Sequence, residues 1–360
     1  MFFDEIGPQR IEELYFPKLN LRAIVVIDST ALGPSIGGVR VSPAVTRDEV
    51  IRLARTMTLK NSIAGLAHGG GKAGIIADPR SPHIEEYFRA FARAIKNLDD
   101  YIPGPDMGSN EESMAWIYDE IGRTVGLPEE IGGLPLDRLG ATGFGLSIAG
   151  EVASQYAGIN LKDSRIAIQG FGSVGKATAR FFSEKGARIV AVADSKGTIY
   201  DPHGLDIERL LKIKDERGSV IDYPEVERLS SQEIFSVSCD ILIPAATADV
   251  INEKNVDSIK AKIILEGANI PASEEAEEIL YEKGIMVIPD FIANAGGVIM
   301  AAMEYARRTA DEAFRAIEAK LRKNTDIILK RSREEKISPR RAGEAIARER
   351  VLKAMKYRKA

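Results

Sequence analysis

Five short apolar segments alternate with helical patterns in the second half of the chain, and this alternation most constrains the fold. The segments are residues 165–169, 188–194, 240–244, 262–266 and 285–289. Each is almost continuously hydrophobic, as expected of strands that helices cover on both faces. Strands that alternate with helices build a doubly wound parallel sheet. The sequence therefore predicts an α/β fold with a Rossmann-type domain.

A glycine-rich turn directly follows the first apolar segment and opens a helical pattern. Its sequence is Gly170-Phe171-Gly172-Ser173-Val174-Gly175. Glycines permit a tight turn and close approach to a pyrophosphate, while the helix N-terminus offers N–H donors to phosphates. A purely structural glycine turn is the alternative, which the strand and helix in register disfavour. We predict a dinucleotide site at Gly170, Gly172, Ser173, Val174 and Gly175.

An acidic residue ends the next apolar segment, about 20 residues further along, where dinucleotide-binding domains place a ribose-binding carboxylate. This residue is Asp194. Its charge would repel a 2′-phosphate, which favours NAD. Ser195 and Lys196 beside it can accept a phosphate, so the predicted cofactor is NAD or NADP.

The first half of the chain has the pattern of a second α/β unit. Residues 22–28 and 74–78 predict strands, and a capping box at residues 46–49 predicts the start of a helix. Ser81 and Pro82 fit the N-cap and first position of another helix.

A stretch rich in glycine at residues 132–145 predicts a hinge between two domains. We expect a substrate-binding and oligomerisation domain over residues 1–135, joined by C-terminal helices from about 310–360. The dinucleotide-binding domain is expected over residues 136–309.

Composition excludes several classes of protein. The formal net charge of −4 gives no reason to expect nucleic-acid or membrane binding. Three histidines and the single Cys239, in no ligand spacing, predict no metal site. The first residues lack the apolar core of a signal peptide, and together with the lone cysteine this predicts a cytoplasmic location.

Two lysines and one aspartate stand in unusual contexts in the first half. Lys72 follows three consecutive glycines, which indicates close backbone approach, and Asp106 lies in a predicted loop stiffened by proline and glycine. Lys60 ends a helical pattern. Solvated lysines and a turn aspartate are the alternative interpretation.

These residues belong to blocks that resemble the Glu/Leu/Phe/Val amino-acid dehydrogenases over nearly the whole chain. The blocks are LGPSIGGVR, MTLKNSIAGLAHGGGKAGI, PGPDMGSNEESMAW, ATGFG, IQGFGSVG, VAVADSKG, EGAN and IANAGGV. Such enzymes oxidatively deaminate an L-amino acid to a 2-oxo acid and ammonium. The resemblance also implies a homo-oligomer, either a hexamer or an octamer.

The resemblance implies roles for individual residues. Lys60 would hold the α-carboxylate, Lys72 would be the general base that activates water, and Asp106 would relay protons to and from the amine. Burial and a neighbouring cation would both lower the pKa of the base. Further substrate contacts are implied at Gly37, Gly38, Ile36, Ala301 and Asn269, and cofactor contacts at Thr142, Ala245, Asn269 and Asn294.

Two positions depart from the glutamate-specific members, although the surrounding blocks are similar to theirs. Such members carry a lysine where this chain has Ile36, and a serine where it has Ala301. A glutamate side chain would lose its charged partner there at a cost of several kcal/mol. We therefore expect a non-polar substrate such as leucine or valine. Glutamate dehydrogenase is the alternative, and a non-catalytic dinucleotide-binding regulatory protein is a more remote one.

Overall fold

The computed structural model describes residues 3–358, which form two compact units. Within this part of the chain, the first unit comprises the residues up to Leu136, Val298–Arg315 and the residues from Glu344. The second comprises Asp137–Gly297 and Ala316–Gly343.

The first unit contains a five-stranded mixed sheet in the order β1-β2-β4-β3-β5. Its strands are β1 (Arg10–Phe16), β2 (Leu21–Ser29), β3 (Ser35–Val41), β4 (Gly69–Ile76) and β5 (Tyr101–Pro105). Strand β3 is parallel to β4 and β5, whereas β2 is antiparallel to β1 and β4. Its first three helices are α1 (Arg47–Ile63), α2 (Ile84–Ala94) and α3 (Glu111–Ile121).

Alternating side chains of β2 divide this sheet into two buried faces. Ile24 and Val26 pack with Val50 of α1, and Val25 packs with Phe88 of α2 on the other face. Because successive residues of a strand point to opposite faces, the sheet lies between α1 and the α2–α3 pair.

One predicted strand begins earlier than expected, and one stretch that the sequence predicted as loop is a strand. Strand β4 begins at Gly69 rather than at residue 74, because the sheet needs glycine there: a Cβ on Gly70 would lie 2.0 Å from the backbone nitrogen of Thr58. Strand β5 includes Pro103–Pro105, and its position at the sheet edge tolerates proline.

The start of α2 also differs from the prediction. Its N-cap is His83, not Ser81. The Ser81 hydroxyl accepts a hydrogen bond from the His83 N–H, which closes a short turn before the helix.

The second unit contains a seven-stranded sheet in the order β12-β11-β10-β6-β7-β8-β9. The strands are β6 (Arg165–Gln169), β7 (Arg188–Asp194), β8 (Gly197–Tyr200), β9 (Glu227–Leu229), β10 (Ile241–Pro244), β11 (Ile263–Leu265) and β12 (Met286–Ile288). Strands β6, β7, β10, β11 and β12 are parallel. These are the five predicted segments, so the predicted doubly wound α/β sheet is confirmed.

Further helices follow along the chain. They are α4 (Leu136–Leu139), α5 (Ala141–Ala157), α6 (Ser173–Glu184), α7 (Ile207–Arg217), α8 (Glu274–Glu282), α9 (Asp290–Ala293), α10 (Gly296–Tyr305), α11 (Ala310–Glu335) and α12 (Pro339–Met355). Across residues 3–358, no helix is both long and apolar enough to cross a membrane.

The C-terminal helices divide between the units differently from the expected domain boundaries. Residues 298–309 belong to the first unit, where Glu304 on α10 accepts backbone hydrogen bonds from residues 127 and 134. Residues 316–343 belong to the second unit, where Arg322 on α11 pairs with Glu151 on α5. Long-range contacts of this kind are not visible in any local sequence pattern.

Candidate active site and dinucleotide site

A buried ion pair lies on the α1 face of the first sheet. The Lys72 side chain on β4 is nearly covered, and its Nζ lies 2.8 Å from Oδ2 of Asp106. Asp106 directly follows β5, where Gly104 is in register with Gly38 of β3. The Asp106 N–H donates to the Ser109 hydroxyl, which fixes the backbone of the aspartate.

The electrostatics of the pair favour an ionised aspartate and a lysine that readily loses its proton. Burial lowers the pKa of Lys72, although the charge of Asp106 opposes this, and the positive charge of Arg40 adds to the lowering. Burial alone would raise the pKa of Asp106, but Lys72 and Arg40 together hold it below its ordinary value. These are the properties required of a general base beside a proton-relaying carboxylate.

Sequence reasoning missed Arg40. Its Nε donates to Asp106 Oδ2 at 3.1 Å, and its Nη1 lies 2.5 Å from Oε1 of Glu49. A signal for this role was present, since Arg40 follows Gly38 by two residues and strand alternation places both on one face.

The paired glycines lie against the backbone and side chains of this site. A Cβ on Gly38 would come within 2.6 Å of the Asp106 Cβ, and one on Gly37 within 1.6 Å of the Gly71 carbonyl oxygen. Only glycine therefore fits at these two positions, which the sequence analysis had given as substrate contacts.

Lys60 lies in the last turn of α1 and is 8% exposed. Thr58, two residues earlier, packs against Gly70, which lies two residues before Lys72. The structure thus pairs Lys72 with Asp106, and it places Lys60 two residues after Thr58, the residue of α1 that packs against β4.

The two positions that depart from glutamate-specific enzymes meet in one apolar cluster. Ile36 and Ala301 are buried together with Ile102 and Val125. Ile36 and Ile102 are directly in register on β3 and β5. The structure therefore brings the two sequence-predicted pocket residues together, and apolar side chains surround them.

The predicted phosphate-binding turn has a shape that only glycine permits. Gly170 has φ +96°, and a Cβ on it would lie 2.8 Å from the backbone of Ala246. A Cβ on Gly175 would lie 2.0 Å from the Gly170 carbonyl oxygen. This turn follows β6 next to β10, where the strand order reverses and doubly wound sheets bind ligands.

The start of α6 is suited to phosphate. Gly172 is its N-cap and provides no side-chain cap, and a Cβ on it would meet open space. Ser173 and Val174 form the first turn, whose N–H groups lack partners within the helix. The turn therefore fits a pyrophosphate.

Polar residues cluster at the same end of the sheet. Asn294 is buried, its Nδ2 donates to Asn269 Oδ1 at 3.0 Å, and its Oδ1 has no hydrogen-bond partner within the described chain. Thr142, in the first turn of α5, has its Cα 3.3 Å from a Cβ placed on Gly296. Ala245 directly follows β10. An unpaired buried acceptor at the end of the sheet that carries the phosphate-binding turn fits a cofactor with a carboxamide.

Asp194, the predicted ribose partner, is already hydrogen-bonded within the protein. Its Oδ2 accepts from Lys214 Nζ and from the Val220 N–H, both at 2.8 Å, and its Oδ1 accepts from the Lys196 N–H at 2.8 Å. Burial would raise the pKa of Asp194, but the hydrogen bonds from Lys214 and the backbone keep this pKa below its ordinary value. Ser195 beside it is exposed. Asp194 is thus ionised, but its charge is compensated.

A Rossmann-type sheet with this turn, together with a buried lysine–aspartate pair in another unit, defines a nicotinamide-dependent dehydrogenase. Residues 132–359 match the Glutamate/Leucine/Phenylalanine/Valine dehydrogenase family, and residues 17–123 match the dimerisation domain of Glu/Leu/Phe/Val dehydrogenases. The chain belongs to this family of amino-acid dehydrogenases, which confirms the resemblance found in the sequence.

Individual relatives cover most of the chain. The glutamate dehydrogenase of Aeropyrum pernix is 42% identical over 355 residues, which span 92% of this chain and 85% of the relative. The NADP-specific glutamate dehydrogenase of Saccharolobus shibatae is 42% identical over 308 residues, which span 81% of this chain and 72% of the relative. Among solved structures, the leucine-bound hetero-hexameric glutamate dehydrogenase of Thermus thermophilus has a TM-score of 0.87 at 30% identity, covering 98% and 90% of the two chains.

We predict that kcat/KM for amino-acid deamination rises with pH through a pKa below that of an ordinary lysine, because Lys72 must lose its proton to act as a base. Initial rates over roughly pH 6 to 10 measure this profile. Lys72→Ala should lose at least ~10²-fold in kcat and still bind dinucleotide. A flat profile, or an active Lys72→Ala variant, would contradict the assignment.

Proposed function

We propose that the protein catalyses the reversible NAD(P)-dependent oxidative deamination of an L-amino acid to a 2-oxo acid and ammonium. The buried Lys72–Asp106 pair, with its 2.8 Å contact, carries this proposal. Lys60, nearly buried at the end of α1, supplies the cation that the α-carboxylate of an amino acid requires. A protein that only bound dinucleotide would need none of these three residues.

The proposed roles divide the chemistry among these side chains. A nicotinamide dinucleotide held by the second unit supplies the acceptor for the hydrogen of the substrate Cα. Lys60 holds the α-carboxylate in place. Asp106 takes a proton from the substrate amine when the imino acid forms. Lys72 accepts a proton at Nζ from the water that attacks the imino acid, and Asp106 then returns its proton to the departing amine. Arg40 keeps Asp106 ionised between these steps.

We propose that the substrate side chain is non-polar, because Ile36 and Ala301 are buried in a cluster with the apolar side chains of Ile102 and Val125. Burying an aliphatic side chain contributes about 1.5–3 kcal/mol. A carboxylate in the same place would lose its hydration without a charged partner, which costs several kcal/mol.

Glutamate is the second candidate, and the names of the relatives favour it over leucine or valine. Both curated relatives described above are named glutamate dehydrogenases. If glutamate is the substrate, a basic residue outside the apolar cluster would bind its side-chain carboxylate.

We predict that L-leucine or L-valine has a higher kcat/KM than L-glutamate in initial-rate assays with both nicotinamide cofactors. In the Ile36→Lys variant, the ratio of kcat/KM for glutamate to kcat/KM for leucine should rise about 10- to 100-fold. A hydrogen bond to a charged group contributes about 1.5–3 kcal/mol, which corresponds to this change.

The matched control is Ile36→Met, which keeps an apolar side chain of similar size and should leave the preference between leucine and glutamate unchanged. If the wild-type protein prefers glutamate, the apolar-pocket proposal is wrong and the glutamate alternative holds. If it binds dinucleotide but deaminates no amino acid, the proposed function itself fails.

We propose that the protein accepts NADP as well as NAD, because Lys214 compensates the charge of Asp194. The Lys214→Met variant should leave this carboxylate uncompensated. The ratio of kcat/KM for NADP⁺ to that for NAD⁺ should then fall about 10-fold, equivalent to about 1.4 kcal/mol of added repulsion. Lys212→Met is the control, since this lysine on the same helix is exposed. An unchanged ratio in Lys214→Met would show that Asp194 does not influence the 2′-position.

We also propose a homo-oligomer assembled through the first unit, either a hexamer or an octamer. The match to a dimerisation domain over residues 17–123 supports self-association. The Thermus thermophilus relative is described as hetero-hexameric.

A further inference from the structure

Three carboxylates and one guanidinium form a buried charged cluster in the second unit, and none of them belongs to the machinery assigned above. Arg340 of α12 lies 2.6 Å from Glu277 on α8, 3.1 Å from Glu266 after β11 and 3.4 Å from Asp290 at the start of α9. The three acidic side chains are almost completely buried. We call these four residues the Arg340 cluster.

Two members of the cluster bind backbone as well as Arg340. Glu266 accepts a hydrogen bond from the Asp290 N–H at 2.9 Å, and Asp290 accepts one from the Ile270 N–H at 3.0 Å. The cluster thereby joins the chain segment that follows β11 to the segment that follows β12. Both segments lie at the end of the sheet that carries the phosphate-binding turn.

These two segments carry the asparagine pair of the dinucleotide site. Asn269 lies three residues after Glu266, and Asn294 lies four residues after Asp290. The Asn294 amide donates to the Asn269 side chain at 3.0 Å and to the carbonyl oxygen of Ala268 at 3.2 Å. A shift of one segment against the other would therefore separate the two asparagines.

Arg340 is the cation that allows the carboxylates to remain together. Burial raises the pKa of Glu266, and the negative charge of Glu277 raises it further, whereas Arg340 opposes both effects. The guanidinium also lies over the ring of Phe291, 5.3 Å from its centroid. A planar guanidinium carries five N–H donors on three nitrogens in a fixed arrangement, whereas the three donors of lysine share one nitrogen on a flexible stem.

We propose that Arg340 is a positioning residue for the dinucleotide, which acts through Glu266 and Asp290 to hold Asn269 and Asn294 in register. The inference rests on the proposed function only in assigning this asparagine pair to the cofactor. It concerns binding of the dinucleotide and not the deamination of an amino acid.

The test compares Arg340→Lys with Arg341→Met, a matched control that removes the exposed neighbouring arginine. NADH fluorescence titration, without amino acid, should show the Kd for NADH raised at least tenfold in Arg340→Lys and unchanged in Arg341→Met. Hydrogen exchange should become faster at the backbone amides of Ile270 and Asp290 in Arg340→Lys alone. The KM for the amino acid, which the first unit binds, should stay within about twofold.

A merely structural role predicts a different result. Arg340→Lys would then have a lower melting temperature but an unchanged Kd for NADH in its folded form, and this outcome would overturn the proposal. If Arg340→Lys does not fold, the Kd for NADH of the Asp290→Asn variant tests the proposal instead. Its amide must lose either the Arg340 or the Ile270 contact, so its Kd for NADH should also rise, and an unchanged Kd rejects the proposal.

The outcome separates this inference from the proposed function. If the wild-type protein binds NADH but deaminates no amino acid, the proposed function is rejected and the Arg340 test remains valid. A wild-type protein that does not bind NADH rejects both.

Discussion

A lysine ammonium buried in a sheet needs compensating charge, and this constraint organises the first unit around Lys72. Asp106 beside it is held in turn by Arg40, and Arg40 is held by Glu49. The four charges alternate in sign, and they come from β4, the end of β5, β3 and α1. Because each element contributes one member, moving any of them exposes an unpaired charge to a low-dielectric interior, which is costly. The network that prepares a base for catalysis therefore also fixes the positions of these elements.

The parallel sheet and its phosphate-binding turn were predictable because their signals are local. A continuous apolar segment identifies a strand that is covered on both faces, and the glycine spacing identifies the turn after β6. In the first unit, local sequence signals did not predict the start of β4 or the strand β5. Glycines at the start of β4 and prolines in β5 are poor strand formers in isolation, and their conformation results from close packing with Thr58 and from an edge position.

Charge partners were the part of the sites that the sequence could not predict. Arg40 lies 66 residues from Asp106, Lys214 lies 20 from Asp194, and Arg340 lies 74 from Glu266. The sequence analysis singled out no member of the Arg340 cluster, and it identified only the carboxylate in the other two pairs, because a carboxylate in a recognisable motif stands out by itself. Its cation occurs in an ordinary helix or strand, where a solvated surface position is the default expectation. Only the fold distinguishes a compensating arginine or lysine from an exposed one.

The choice of substrate depends on a few contacts that overall similarity hardly measures. Identity of 42% over 355 residues is an average over the whole aligned length. The apolar cluster around Ile36 and Ala301 contains four residues, so it can change while the rest of the chain remains similar. A desolvated carboxylate without a partner costs several kcal/mol, whereas a missing methylene costs about 0.8 kcal/mol. The energetics of this small cluster support the proposal of a non-polar substrate, whereas the names of the relatives favour glutamate.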